Sequence, residues 1–353
     1  MKKVKINEIL ELYENQLKPS IKNKRALIIF EQNKMQYIEL VVSYLNDVNY
    51  KIKRYHIFKI YEPKVRLIMS LNIVDKLCNH YFTEKVLKIK LEKYLDIRNV
   101  ATRKNFGTDY AIKLLRKYIE YYKRKDKVYY LKIDIKKYFY NIDHEVLKKM
   151  LINKLEEDEY IRVCNIIDST NEDYINKEII KLNDKNLPLY KNGKGLPIGN
   201  LSSQLLSIFY LNKLDHYIIH DLHLKHYVRY MDDFVILSNN KKKLEESLEK
   251  IVHKLKSEYY LDINKNKTFI KEINSGLIFL GRRFFIKNNK TIMTIYSASY
   301  KKIKKNFKKV NYRYKKGYIT FKKFFESITV YMYSYNYSKN KLKSYINGKI
   351  TKK

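Results

Sequence analysis

Two adjacent aspartates, Asp232 and Asp233, separate the apolar runs Tyr227-Val228-Arg229-Tyr230 and Phe234-Val235-Ile236-Leu237. Runs so rich in β-branched and aromatic residues read as strands. Side chains alternate faces along a strand, so neighbouring aspartates inside one would diverge. At a hairpin tip both can reach one region. Carboxylates crowded there repel each other, which raises their pKa unless a cation compensates. A bare Asp-Asp pair is ordinarily a solvated turn; the apolar flanks and the string Tyr230-Met231-Asp232-Asp233 argue for a metal-binding tip. Asp134 ends a second apolar run, Leu131-Lys132-Ile133. Alone it reads equally well as a turn or helix-cap residue. Beside the hairpin it would complete a cluster of three carboxylates. Such a cluster suits two divalent ions about 4 Å apart, which clamp both oxygens of an in-line phosphoryl displacement. Oxygen-only ligands that leave room for phosphates suit Mg²⁺, with Mn²⁺ as a possible substitute.

Around these strands the pattern is mixed. Helical-period apolar positions fill residues 6–50 and 72–95. Residues 55–69 read as two strands turning at Glu62-Pro63-Lys64. Gly107 precedes a helix over 110–124, Ile142-Asp143 opens another, and 168–194 reads as polar and irregular. Pro197 and Gly199 lead into a helix over 201–217, followed by an amphipathic helix over 244–261. Residues 277–285 form a strand pair turning at Gly281-Arg282, and 298–350 are basic, aromatic and mostly helical.

In this order the segments resemble the motifs of reverse transcriptases. Glu62-Pro63-Lys64-Val65-Arg66-Leu67-Ile68 is similar to the fingers strand that contacts the incoming triphosphate, and Arg103-Lys104-Asn105-Phe106-Gly107-Thr108 to the next fingers segment. Asp134 matches the first catalytic aspartate, and Phe139 the aromatic that blocks a ribose 2′-OH. Residues 195–204, Gly-Leu-Pro-Ile-Gly-Asn-Leu-Ser-Ser-Gln, resemble the motif that cradles the template and nascent pair. Lys267-Thr268 matches the lysine motif near pyrophosphate, and Phe279-Leu280-Gly281-Arg282 the primer-grip hairpin.

The resemblance implies an α+β right-hand polymerase fold. Fingers would cover 1–125 with part of 150–194. The palm, an antiparallel sheet backed by helices, would cover 126–285, and a helical thumb 286–353. It further implies RNA-directed DNA synthesis from dNTPs on an RNA template, with a DNA or protein primer. Asp134, Asp232, Asp233 and Lys267 would be catalytic, and Asp134, Ile135, Asp232 and Asp233 would hold two Mg²⁺ ions. Lys64, Arg66, Phe139, Gly199 and Gln204 would surround the nucleotide. Arg103, Lys104, Tyr230, Gly281, Arg282, Lys301, Lys304, Lys305 and Lys308 would meet nucleic acid.

Physical chemistry gives some of these residues independent support. The planar fork of Arg66 suits phosphate, Gly199 permits close backbone approach, and Lys267 could protonate leaving pyrophosphate. Each also has an ordinary reading: surface arginine, turn glycine, loop lysine. Phe139, next to Tyr138, could equally be core.

The string Ile198-Gly199-Asn200-Leu201-Ser202-Ser203-Gln204 bears on subtype. Ile-Gly near its start, in place of Gln-Gly, resembles the enzymes of diversity-generating retroelements, which work with a small basic accessory protein. Phage-defence reverse transcriptases that copy a dedicated non-coding RNA have similar palm motifs and are the alternative. A catalytically silent nucleic-acid-binding module and a DNA-templated or RNA-synthesising polymerase are further alternatives. Three clustered carboxylates facing a polyanion speak against the first, and Phe139, whose ring would clash with a 2′-OH, speaks against RNA synthesis.

Charge fits a polyanionic partner. Lys and Arg number 74 against 37 Asp and Glu, a net charge of +37. The excess is uneven: residues 301–353 carry 17 Lys and Arg and a single acid, Glu326. A basic stretch of that kind is the footprint of nucleic-acid contact. Two cysteines at no motif spacing, Cys78 and Cys164, make neither a disulfide framework nor a zinc site. The first residues lack the apolar core of a signal peptide, and no run of about 18 apolar residues would span a membrane. A cytoplasmic protein is expected.

Overall fold

The computed structural model describes residues 3–61 and 65–333. Lys64, expected at the nucleotide, and the end of the basic tail beyond Tyr333 lie outside the described residues.

Three antiparallel sheets organise the chain. The first is a hairpin of β1 (His56–Tyr61) and β2 (Val65–Ser70). Alternation divides its faces. Leu67 and Met69 are buried against Ile175, Ile179 and Tyr190, whereas Arg66 is exposed on the other side. Ile175 and Ile179 belong to the helix Asp173–Lys181, which lies inside the stretch expected to be irregular. Two isoleucines at i and i+4 are enough to dock a short helix whose remaining surface is polar.

The second sheet has four strands in the order β4-β5-β3-β6. These are β3 (Tyr129–Asp134), β4 (Tyr227–Tyr230), β5 (Asp233–Ser238) and β6 (Phe269–Glu272). Helices cover both faces, so its central strands read as nearly continuous apolar runs. Val235, Leu237 and Tyr130 pack on Ile112, Leu115 and Ile119 of the helix Thr108–Tyr122. Phe234, Ile236, Leu131 and Ile133 join the core of Leu205, Phe209, Leu244 and Ile251 on the other face. Two helices carry those last four, Leu201–Tyr210 and Lys241–Tyr259. The expected single helix over 201–217 breaks at Leu211 and resumes as Asn212–His216.

The third sheet is a meander of β7 (Leu277–Phe279), β8 (Arg282–Lys287) and β9 (Lys290–Ile295), the last of which was not expected. After it come two helices, Ser297–Lys315 and Phe321–Tyr333. Ile303 and Phe307 of the first bury against Phe324 and Ile328 of the second, a small core of their own. Among the described residues no helix is long and apolar enough to cross a membrane. Cys78 and Cys164 are free thiols.

Candidate active site

The sheet register assembles the carboxylates. β3 runs antiparallel to β5 with Asp134 directly opposite Asp233. Directly opposed residues share a face. Tyr230 pairs with Asp233 across the neighbouring ladder, leaving Met231 and Asp232 as a two-residue turn. Met231 is left-handed, with φ +58°, an unfavourable state for a side chain of that size. The buried Arg229 stabilises it: one guanidinium nitrogen donates to the Met231 carbonyl at 2.9 Å and another to the Ile208 carbonyl at 2.9 Å. The same guanidinium makes a two-pronged ion pair with Asp215, at 2.7 and 2.5 Å. Both side chains are fully buried.

Burial, then the nearby charge of Asp134, raises the Asp232 pKa, while Lys267 and Arg66 oppose the rise. Burial pushes Asp233 up to about 6 against the pull of Lys132, whose Nζ is 3.3 Å from Asp233 Oδ2. Asp233 keeps 28% of its side-chain surface, yet its Oδ1 is sealed and has no hydrogen-bond partner among the described residues. Lys267 Nζ donates to Asp134 Oδ1, and Asn264 Nδ2 donates to Oδ2 at 3.4 Å.

Among the described residues no three His, Cys, Asp or Glu side chains converge as a ready-made metal site. Asp134 and Asp233 are each turned toward a lysine instead. The donor set still fits divalent cations: every side-chain ligand is a carboxylate oxygen, one of them buried without a partner, and the negative charges repel one another. The Ile135 side chain is 1% exposed, so only its backbone carbonyl could serve. Its bridge to Ile263 is closed by the neighbours, with Asn264 N–H on the Asp134 carbonyl and Lys136 N–H on the Asp262 carbonyl.

Several nucleotide-side residues come together here. Gly199 has φ +127°, and a Cβ there would stand 3.1 Å from the Met69 carbonyl. Met69 N–H donates to the Ile198 carbonyl at 2.8 Å, joining this loop to β2 and hence to the strand bearing Arg66. Leu196 N–H donates to the Phe139 carbonyl at 2.8 Å; the Phe139 ring is half-buried against Tyr138. Gln204 is half-buried in the first turn of its helix, and Ser207 Oγ donates to its carbonyl at 2.8 Å. Tyr230 is half-buried beside Asp233.

Two expected nucleic-acid contacts are corrected. Arg103 donates to the carbonyls of Asp96 and Asn99, at 2.7 and 2.8 Å, and lies over the Phe106 ring. It is an internal brace. Arg282 is 4% exposed and belongs to the interior. Lys104 is exposed, and Gly281 forms a tight turn with Leu280, both at positive φ. Lys301, Lys305 and Lys308 are exposed on the helix Ser297–Lys315, while Lys304 is half-buried with its ammonium over Tyr300. Arg229, Asp215, Lys132 and Asn264 carry roles that no sequence motif marks. The one sequence signal is an arginine inside an otherwise apolar strand.

Residues 57–284 match the reverse transcriptase (RNA-dependent DNA polymerase) family. The chain belongs to that family, whose members copy RNA templates using divalent metal ions. Protein YkfC of Escherichia coli K12 is 25% identical over 191 residues, 44% of this chain and 47% of that protein. Apo telomerase from Candida tropicalis aligns over 70% of this chain and 49% of its own, with TM-score 0.50 and 16% identity. That likeness shows the right-hand polymerase fold. The chain spans about half the length of these matches.

Proposed function

We propose that this chain is an RNA-directed DNA polymerase that extends a primer by two-metal nucleotidyl transfer. The observation that carries the reading is the register of Asp134 opposite Asp233, next to a turn bearing Asp232. Asp134, Asp232 and Asp233, with the Ile135 carbonyl, would hold two Mg²⁺ or Mn²⁺ ions. When bound, such ions activate the primer hydroxyl and stabilise the charge that develops on pyrophosphate. Arg66 orients the triphosphate, the Phe139 ring excludes a 2′-OH, Gly199 lets the backbone approach the nascent pair, and Lys267 supplies a proton to the leaving group. Fingers over 1–125 with part of 150–194, palm over the rest of 126–285 and thumb beyond divide these tasks. Asp134→Asn and Asp232→Asn should each lower primer extension on RNA by about a hundredfold or more, leaving melting temperature and RNA affinity intact. Full activity in either variant overturns the reading.

Within that class we assign the chain to the diversity-generating type, working on a dedicated RNA with a small basic accessory protein. The support is the string Ile198–Gln204. Misincorporation concentrated opposite template adenine is the expected result of sequencing the cDNA. Errors spread evenly over all four template bases would remove this assignment.

A further inference from the structure

The loop that carries Gly199 is held by side chains outside every motif. Residues 193–200 belong to no helix or strand, and Gly195 and Gly199 both have positive φ, +93° and +127°. Glycine has many other backbone states open to it, so the shape of this loop depends on its partners.

Three consecutive residues supply much of the hold. Ser169, Thr170 and Asn171 make one helical turn at the end of the helix Glu157–Asp168, which Val163 and Ile167 set in the core. Asn171 Oδ1 accepts from Gly193 N–H at 2.9 Å. Thr170 Oγ1 donates to the Gly195 carbonyl at 3.0 Å, and His144 Nε2 donates to the same oxygen at 2.7 Å. Ser169 reaches the far end of the loop through Tyr55. Asn200 Nδ2 donates to the Tyr55 hydroxyl at 3.2 Å, and that hydroxyl lies 2.9 Å from Ser169 Oγ. Ser169 Oγ gives its own proton to the Ile166 carbonyl at 2.6 Å. The directions follow: amide to phenol, phenol to serine, serine to helix. Tyr55 also immediately precedes β1, and its N–H donates to the Tyr174 hydroxyl at 2.8 Å. One buried phenol thus ties the hairpin bearing Arg66 to the loop bearing Gly199.

We propose that Tyr55, Ser169 and Thr170 are positioning residues, a clamp that sets the loop backbone at Gly199 against the nascent pair; the proposal rests on the polymerase reading above. Tyr55 is 4% exposed and Thr170 3%. Neither meets substrate, so each acts through the loop. Misplacing a substrate-facing group by about 1 Å is enough to slow a reaction severely, which gives a distant hydrogen bond its leverage.

The test uses the full chain and two readouts. Backbone hydrogen exchange over residues 193–204, followed by mass spectrometry without nucleotide, reports the loop itself. Steady-state extension of a DNA primer on RNA reports kcat and the KM for dNTPs. Tyr55→Phe and Thr170→Val each delete one hydroxyl with little change of shape. Together they should speed exchange over 193–204 and raise the KM for dNTPs, each by about tenfold, the usual worth of one or two hydrogen bonds. The kcat should change little. Thr170→Ser keeps the hydroxyl and should match the wild type. The single variants repeat the test with smaller effects should the pair fail to fold. Val163→Ala thins the core beneath the same helix without removing a donor; it should lower the melting temperature and leave the KM alone. Unchanged exchange, or faster exchange with an unchanged KM, would overturn the clamp. So would an equal rise in KM from Val163→Ala, the mark of general softening. A wild-type chain that extends no primer would sink the polymerase reading alone, and the exchange rates would then decide by themselves whether the clamp holds the loop.

Discussion

Arg229 and Asp215 form a fully buried two-pronged ion pair, and the same guanidinium also holds the carbonyl of Met231 at the turn bearing Asp232. Truncating one partner of such a pair leaves an uncompensated buried charge, at a cost of about 3–5 kcal/mol. Arg229→Met should therefore lower the unfolding free energy by that amount in denaturant titrations. Arg229→Met/Asp215→Leu should recover most of it, short of the whole because the Tyr227 hydroxyl loses its acceptor on Asp215. Primer extension should stay low in both variants, since neither restores a donor to Met231. A double variant with full activity would show that the pair supports stability alone.

The state of Asp233 sets a pH dependence. Its folded pKa, about 6, lies above the unfolded value of about 3.9. The folded protein thus binds more protons than the unfolded chain between those limits, and ionisation of Asp233 opposes folding. The penalty is complete above about pH 6, shrinks as pH falls, and is gone below about pH 4. In metal-free protein, Asp233→Asn should raise the melting temperature at neutral pH by about 2–4 °C for each net kcal/mol. The lost pair with Lys132 offsets part of the gain. A gain that persisted unchanged below pH 4 would separate it from ionisation.

Gly199 combines φ +127° with a carbonyl 3.1 Å from where a Cβ would sit. Gly199→Ala should displace the loop from β2, weaken the Met69–Ile198 hydrogen bond and raise the KM for dNTPs more than it changes overall stability. An unaltered KM would mean that the loop does not shape the nucleotide site.

Phe139→Ala removes the ring offered as the 2′-OH barrier. Ribonucleotide incorporation relative to deoxyribonucleotide should rise about tenfold or more, with little loss of dNTP turnover. Unchanged discrimination would return Phe139 to the core, against which its ring is already packed.

The exposed lysines of the helix Ser297–Lys315 face solvent opposite Ile303 and Phe307. If Lys301, Lys305, Lys308 and Lys309 track duplex phosphates, replacing all four with Gln should flatten the salt dependence of hybrid binding by up to about 0.9 per contact, the B-DNA figure. Nucleotide choice should not change, because phosphate contacts carry no base information. An intact slope would identify a face that only solvates the protein.

The hairpin of Asp232 and Asp233 and the strand β3 were legible because apolar runs bounded by aspartates carry their own pattern, and the helical segments because their apolar positions repeat. Other features left little trace. β6 is only four residues long and pairs with β3, which is distant in sequence; β9 pairs with the adjacent β8, but the turn between them is Asn288-Asn289, without the glycine that would advertise a hairpin. The helix Asp173–Lys181 shows the core only Ile175 and Ile179. Arginine in a loop looks the same whether it reaches for phosphate or, like Arg103, closes on its own chain's carbonyls. Arg229 had a readable oddity in its strand, but Asp215 lies on a helix with nothing to mark it as the partner.

The position of β3 inside its sheet has a consequence for synthesis. Its neighbours, residues 233–238 and 269–272, are made roughly a hundred residues or more after it. A growing chain that already displays Asp134 has no second carboxylate to set beside it until residue 233 has emerged, and no Lys267 until later still. Pairings of such long sequence separation form late and slowly. The nascent protein, strongly basic and bound to an RNA machine, therefore passes most of its elongation before Asp134, Asp232 and Asp233 can be brought together.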